Sequence, residues 1–229
     1  MDEAIILHLR PYRESSYLVD LFARQAGRQR LVARGARRRT RWTGPGLASF
    51  ARIFFVAGGR GELRCLSNWE KAPESPELAG GSIFCGFYMA ELLLKLLPQS
   101  DPSPRLYDET LLALRDLSGG VDPELRLRRF EKVLLDEAGY GLRLFEDVEG
   151  RPIEAELQYT YHPEHGPEIV QGTGDAFSGS VLIGLRTGQF QNDRDRVLAK
   201  RLMRKVLDLH LEGRAIRSRE LFKAFLGRG

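Results

Sequence analysis

A run of arginines is the part of this sequence whose chemistry is easiest to state. Seven arginines fall within fourteen residues, and a tryptophan follows directly. They are Arg28, Arg30, Arg34, Arg37, Arg38, Arg39 and Arg41, followed by Trp42. A guanidinium group is a permanently charged planar donor that suits phosphate oxygens, and an aromatic ring offers a base a surface for stacking. The run therefore predicts a contact with the sugar-phosphate backbone of a nucleic acid, and the alternative is a solvated surface loop.

The charge of the whole chain is modest, but its distribution is uneven. Residues 1–60 hold twelve arginines, no lysine and four acidic residues, which gives a net charge of +8. The remaining 23 basic and 27 acidic residues give −4, so the 229-residue chain carries +4 overall. Such asymmetry is typical of a polyanion-binding module joined to a second domain.

The elements that position the arginines are short and of β type. Five runs of strand character are separated by glycine- and proline-containing turns. They are residues 4–9, 17–23, 29–33, 47–56 and 62–66. Five strands without room for crossover helices predict a small antiparallel barrel of the OB or SH3-like kind. In that barrel Arg28 and Arg30 share the face opposite the core.

The rest of the chain has a helical period. We predict a barrel domain over residues 1–79 and an all-α domain over residues 80–229, an α+β protein overall. Helices are expected over about 82–97, from Asp101 or Ser103 to about 117, over about 122–138, 178–185 and 193–211, and from Ser218 onward. The helical period is lost at about 145–175, where a β-hairpin insertion is predicted.

Two helices carry basic faces. On the helix that begins after Asp122, Leu127, Phe130, Leu134 and Ala138 form the predicted core stripe. The residues predicted away from that stripe are Arg128, Arg129, Lys132, Leu125 and Leu135. Cations around apolar side chains suit a peptide with carboxylates and an apolar anchor, although the same pattern describes a solvated basic face. The 193–211 helix places Lys200, Arg201, Arg204 and Lys205 together as a second nucleic-acid candidate.

The sequence offers little that resembles catalysis or metal binding. No glycine-rich loop ends in Gly-Lys-Ser or Gly-Lys-Thr, and His162 and His165 lie in a turn without a nearby cysteine. Cys65 and Cys85 are too few for a disulfide framework or a zinc ribbon. We therefore expect a binding protein, not an enzyme, with no metal and no cofactor. The absence of a long apolar stretch and the acidic start of the chain predict a cytoplasmic protein with no membrane contact.

Six sequence blocks in order resemble the RecO family of bacterial recombination mediators, in its zinc-free proteobacterial form. The blocks are residues 7–16, 27–37, 58–63, 88–93, 127–131 with 139–141, and 217–222. The resemblance implies an N-terminal five-stranded OB-fold barrel, a helical C-terminal domain and a small insertion. In many relatives that insertion is a four-cysteine zinc ribbon, whereas residues 145–175 contain no cysteine here.

The resemblance also implies a function in DNA repair and recombination on the nucleoid. The protein is expected to bind single- and double-stranded DNA, with Trp42 or Tyr12 stacking on bases, and to anneal complementary strands. It is expected to work with RecR, and in some settings RecF, to load RecA onto strands covered by single-stranded DNA-binding protein (SSB). By the same resemblance, Arg128 and Arg129 are expected to bind the acidic SSB tail, with Lys132, Leu125 and Leu135 as neighbours.

Two other functions fit the same residues. An OB barrel with an arginine-rich loop also suits RNA, because the 2′-hydroxyl leaves no mark on this sequence. A metal-dependent nuclease that uses scattered carboxylates is the second alternative.

Overall fold

A computed structural model of the chain describes residues 1–37, 46–61, 63–171 and 176–226. These residues form two compact units, the first made of residues 1–121 together with the segment from Ile216 onward. The second unit is Asp122–Ala215. The strands of the barrel end at Lys71 and the next helix begins at Ser82. The expected domain boundary at residue 79 lies between them and stays a prediction.

A closed five-stranded barrel opens the first unit and confirms the predicted OB-type fold. Its strands are β1 (Asp2–Tyr12), β2 (Ser16–Ala23), β3 (Gly27–Ala33), β4 (Arg52–Gly58) and β5 (Arg64–Lys71). They pair in the order β1-β2-β3-β5-β4, antiparallel throughout except for a short parallel contact of β3 with β5. Ile6, Val19, Leu31, Phe55 and Trp69 fill the interior.

The fourth predicted strand begins five residues later than expected. The pattern placed its start at Leu47, but β4 begins at Arg52. Phe50 has a positive φ of 68° and donates its backbone N–H to the carbonyl of Ile6, so the chain turns there before it joins the sheet. The apolar residues before Arg52 are therefore a turn packed on the barrel.

Three helices complete the first unit: α1 (Ser82–Leu96), α2 (Pro104–Ser118) and α6 (Arg217–Leu226). The side chain of Ser103 caps α2 by accepting from the N–H of Leu106, and proline at the first position suits that start. Glu91 of α1 accepts hydrogen bonds from the backbone N–H groups of Arg217 and Ser218 and from the Ser218 hydroxyl. This carboxylate fixes the first turn of α6 on α1.

The β2–β3 hairpin lies directly against the loop between α1 and α2. Gly27 begins β3 with a φ of +67°, and a Cβ placed there would stand 2.2 Å from the carbonyl oxygen of Asp101. The N–H of Ser100 donates to the carbonyl of Arg28. A side chain at residue 27 would collide with the backbone of Asp101, so glycine is required both for the positive φ and for this short distance.

The second unit contains the remaining helices and a small sheet. Its helices are α3 (Pro123–Glu137), α4 (Gly179–Thr187) and α5 (Asp193–His210). Strands β6 (Gln158–His162), β7 (Gly166–Ile169) and β8 (Phe177–Ser178) form a sheet in the order β7-β6-β8, with β6 and β7 as the predicted hairpin. Among the described residues, each helix is too short or too polar to cross a lipid bilayer.

Side chains that accept hydrogen bonds from the backbone hold the segment that leads into this sheet. Asp147 accepts from the N–H groups of Glu149 and Arg151, and the buried hydroxyls of Tyr159 and Tyr161 accept from the N–H groups of Glu154 and Arg143. The insertion supplies no thiol, and the described part of the chain contains no group of three or more His, Cys, Asp or Glu side chains able to hold a metal. The donor set of a zinc ribbon does not fit these residues.

A carboxylate joins the barrel to α2, and we expect it to make the first unit sensitive to acid. Glu3 Oε1 accepts from Arg52 Nε at 2.6 Å and from the Tyr107 hydroxyl at 2.7 Å. The hydrogen bond from Arg52 holds the pKa of Glu3 below its usual value of 4.5. Since the folded state binds the proton more weakly, this stabilisation is present above about pH 4.5 and is lost as the pH falls through the lowered pKa.

The measurement is urea unfolding of the wild type and of Glu3→Gln between pH 7 and pH 3. At pH 7 the variant should be less stable by about 1–3 kcal/mol, because hydrogen bonds to a charged acceptor are lost. The difference should shrink below about pH 4.5. A difference that stays constant with pH would show that the charge of Glu3 contributes nothing.

Candidate nucleic-acid interface

The ends of three barrel strands meet at one edge of the first unit. In the sheet register, Pro11 of β1 faces Tyr17 of β2, and Tyr17 faces Ala33 of β3. Arg10 and Tyr12 flank the first of these positions, and Arg34 follows the last. The register therefore brings together residues that are far apart in the sequence.

Two more arginines lie at this edge, one in the β1–β2 turn and one after β3. Arg13 occupies the turn with a positive φ of 51°. The N–H of Arg37 donates to the carbonyl of Ser15, and its Nη1 donates to the carbonyl of Arg13 at 3.1 Å. We call this set, Arg10, Arg13, Arg34 and Arg37 with Tyr12 and Tyr17, the arginine edge.

The cations of the arginine edge are exposed and lack acidic partners. All four arginines are solvent-exposed, and none forms an ion pair with a carboxylate in the part of the chain that the structure describes. Arg13 lies over the ring of Tyr12 at 5.3 Å, and Arg37 lies over the ring of Tyr17 at 6.0 Å. Exposed guanidinium groups beside half-buried aromatic rings are typical of a surface for single-stranded nucleic acid.

Two predicted DNA-binding arginines have hydrogen-bond partners within the first unit. Arg30 Nε donates to Asp20 at 2.6 Å, and Asp20 is buried. Arg28 Nε donates to the carbonyl of Leu97, and burial lowers the pKa of its guanidinium below the usual value. Alternation placed both on the outer face correctly, but the loop after α1 covers that face near the β2–β3 hairpin.

Four predicted residues, Arg38, Arg39, Arg41 and Trp42, lie outside the described residues. Their contact with DNA stays a prediction. Sequence reasoning did not include Arg10, Arg13 and Tyr17 among the candidate residues for DNA. The available signal was the hairpin itself, because two strands that pair across a short turn bring the residues flanking that turn together.

The predicted basic patch of the second unit is partly neutralised. Lys200 forms an ion pair with Glu124 of α3. Arg201 donates to the carbonyl of Ala176 at 3.2 Å and lies 4.7 Å from the centre of the Phe177 ring. Arg204 and Lys205 are exposed on the same helix. Two of the four predicted cations on α5 therefore already have partners within the protein.

The face assigned to α3 is wrong at two positions. Arg128 is 8% exposed and forms an ion pair with the fully buried Glu131, and Leu135 is also fully buried. The sequence pattern gave α3 a single core stripe, whereas the helix buries side chains over more than half of its circumference, from Arg126 through Phe130 to Leu135.

The other residues predicted on that face have different surroundings. Lys132 Nζ donates to the carbonyls of Leu185 and Arg186 at 2.9 Å each, in the last turn of α4. A cation at the C-terminal end of a helix satisfies carbonyls that have no partner within the helix. Arg129 is exposed and Leu125 is half-buried.

Two protein-family models match this chain, one in its N-terminal part and one over most of the rest. A family model described as "Recombination protein O N terminal" matches residues 1–72, and one described as "Recombination protein O C terminal" matches residues 53–220. Together these matches cover most of the chain.

Curated relatives are similar over nearly their full length. The chain is 41% identical over 225 residues to the DNA repair protein RecO of Methylococcus capsulatus, covering 98% of this chain and 93% of the relative. It is 43% identical over 227 residues to the DNA repair protein RecO of Halorhodospira halophila, covering 96% and 95%. The corresponding protein of Pseudomonas aeruginosa is 40% identical over 218 residues, covering 95% and 92%.

Proposed function

The chain belongs to the RecO family of DNA repair proteins, and from this membership we propose the individual steps that it performs. It binds single- and double-stranded DNA and anneals complementary strands. It binds the acidic tail of SSB and, with RecR and in some settings RecF, promotes the loading of RecA onto SSB-coated DNA. It acts by binding and makes or breaks no covalent bond.

The arginine edge is the observation that supports DNA binding. Its four guanidinium groups are exposed and form no ion pair with a carboxylate among the residues that the structure describes. Phosphate oxygens are therefore suitable ligands for them. Tyr12 and Tyr17 stand beside them and offer ring surfaces to bases. Such contacts follow the backbone and carry little sequence specificity.

Charge neutralisation accounts for annealing without any chemical step. Two polyanionic strands repel each other, and a cationic surface that replaces their condensed counterions lowers this barrier. Base pairing then proceeds by itself.

The proposal for the SSB tail now rests on fewer residues. Arg128 and Leu135 are buried, and Lys132 is bonded to the end of α4. Arg129 is the exposed cation of the predicted set on α3, and Leu125, one turn before it, is half-buried. An acidic peptide with an apolar end needs a cation and an apolar contact of this kind.

The test is an annealing assay on complementary oligonucleotides coated with SSB. The double variant Arg34→Gln with Arg37→Gln removes two predicted phosphate contacts. Binding should weaken roughly fiftyfold at about 50 mM salt, and annealing at limiting protein should slow by at least about tenfold.

The matched control is Arg24→Gln with Arg115→Gln, which removes the same charge from the same unit. Arg24 already pairs with Asp108, and Arg115 with Glu74. This control should anneal at nearly the wild-type rate. Equal slowing by both double variants would show that net charge alone matters, and the arginine edge would lose its assigned role.

A further inference from the structure

Phe145 is the most exposed large apolar side chain among the described residues, at 71% exposure. It directly follows the buried Leu144, and its carbonyl accepts from the N–H of Ile153 at 3.2 Å. The backbone is therefore fixed while the ring stands in water. Leaving a large aromatic ring exposed forgoes a favourable burial energy, so the position gives no benefit to folding.

One cation contacts this ring, and a second lies two residues before it in the sequence. The guanidinium carbon of Arg186 lies 5.2 Å from the ring centre, and its Nη1 donates to the carbonyl of Leu144. Arg143 is exposed two residues before Phe145, with its backbone N–H fixed on the Tyr161 hydroxyl. Neither arginine forms an ion pair with a carboxylate in the described ranges 1–37, 46–61, 63–171 and 176–226.

We propose that Phe145, Arg143 and Arg186 form a second contact for single-stranded DNA, on the second unit. A base stacks on the open face of the Phe145 ring, and the two guanidinium groups bind the flanking phosphates. The inference rests on the proposed annealing function, because annealing requires two strands held at the same time. The arginine edge of the first unit holds one strand, and this surface holds the other.

The geometry favours a nucleobase over an acidic peptide. A peptide anchor binds by inserting an apolar side chain into a concave pocket. Phe145 instead projects into solvent, and Val148 in the same loop is also 44% exposed. Stacking needs only one free ring face with a nearby cation, which is what Phe145 and Arg186 provide.

The first experiment compares annealing by the full chain carrying Phe145→Ala, Phe145→Trp or Val197→Ala. Val197 is a 62% exposed apolar residue of the same unit and serves as the matched control. Phe145→Ala should slow annealing at least about fivefold, because one base stack is lost. Phe145→Trp and Val197→Ala should anneal like the wild type. Binding of one labelled strand under limiting DNA should not change, because the arginine edge holds it.

The outcomes separate the two proposals. If Phe145→Ala anneals normally while the double variant of Arg34 and Arg37 is slow, the second contact is wrong and the proposed function stands. If both anneal normally, the proposed function itself fails. Since Phe145 is exposed, thermal unfolding of Phe145→Ala should match the wild type.

A second readout detects the ligand directly. The tryptophan fluorescence of Phe145→Trp, after subtraction of the wild-type signal, should change on addition of oligo(dT). No change should follow addition of an acidic peptide that ends in phenylalanine. A change with the peptide and none with oligo(dT) would overturn the proposal in favour of a protein-docking surface.

Discussion

Single-stranded DNA binding is expected to weaken by roughly three orders of magnitude at about 50 mM salt when the whole arginine edge is neutralised. The change is the replacement of Arg10, Arg13, Arg34 and Arg37 by glutamine. Each phosphate contact contributes about 0.7 to the slope of log affinity against log salt, so four lost contacts make the slope shallower by about 2.8. Fluorescence anisotropy titrations of labelled oligo(dT) over a salt series measure both quantities.

A second fourfold variant tests whether position or total charge causes this loss. Arg24, Lys71, Arg115 and Arg196 each pair with a carboxylate of this chain. Their replacement by glutamine removes the same formal charge but leaves the four arginines of the arginine edge in place. The salt slope of this variant should stay within about 0.5 of the wild-type slope. If the two fourfold variants behave alike, the arginine edge is not the DNA site.

Loss of the Glu131 carboxylate is expected to destabilise the second unit by about 3–5 kcal/mol, because it breaks a buried ion pair by removing one of its charges. Arg128 and Glu131 are 8% and 0% exposed and lie one turn apart on α3. Urea unfolding of Glu131→Ala, followed by circular dichroism, measures this change. The exposed Arg204→Ala on α5 should remain within about 0.5 kcal/mol of the wild type.

A double substitution tests whether the broken charge pair or the lost packing causes this destabilisation. Arg128→Met with Glu131→Leu removes both charges and fills the space with apolar atoms. This variant should recover most of the stability lost in Glu131→Ala, since replacing a buried ion pair by packed apolar side chains is often close to neutral. A double variant as unstable as Glu131→Ala would mean that lost side-chain packing, and not the broken charge pair, causes the destabilisation.

The barrel followed from local signals. Short strands with turn residues between them left no room for crossover helices, and alternation in residues 17–22 and 28–34 already separated a core face from a basic face. The helix start at Asp122 also followed from a capping residue and the adjacent proline, and Ser103 was one of two candidate starts for α2. Each of these features depends on residues that are close together in the sequence, so the sequence alone is enough to predict it.

The partners of the arginines depended on distant residues. Arg28 reaches a carbonyl 69 positions away, at Leu97, and no periodicity encodes that contact. The cross-strand pairing of Arg30 with Asp20 requires the register of the β2–β3 hairpin. Arg128 lies inside the second unit because α3 is covered on more than one side, whereas the pattern indicated a single buried stripe.

Because α6 binds Glu91 of α1, the first unit can be completed only when the end of the chain has been synthesised. The chain leaves the first unit after Val121 and returns to it at Ile216, so all of the second unit is translated in between. Until the ribosome has made α6, Phe84 lacks its ring contact with Phe225, and Glu91 lacks the N–H groups that it binds. On the nascent chain the second unit is therefore complete before the first, and the unit that holds the barrel is completed by the helix made last.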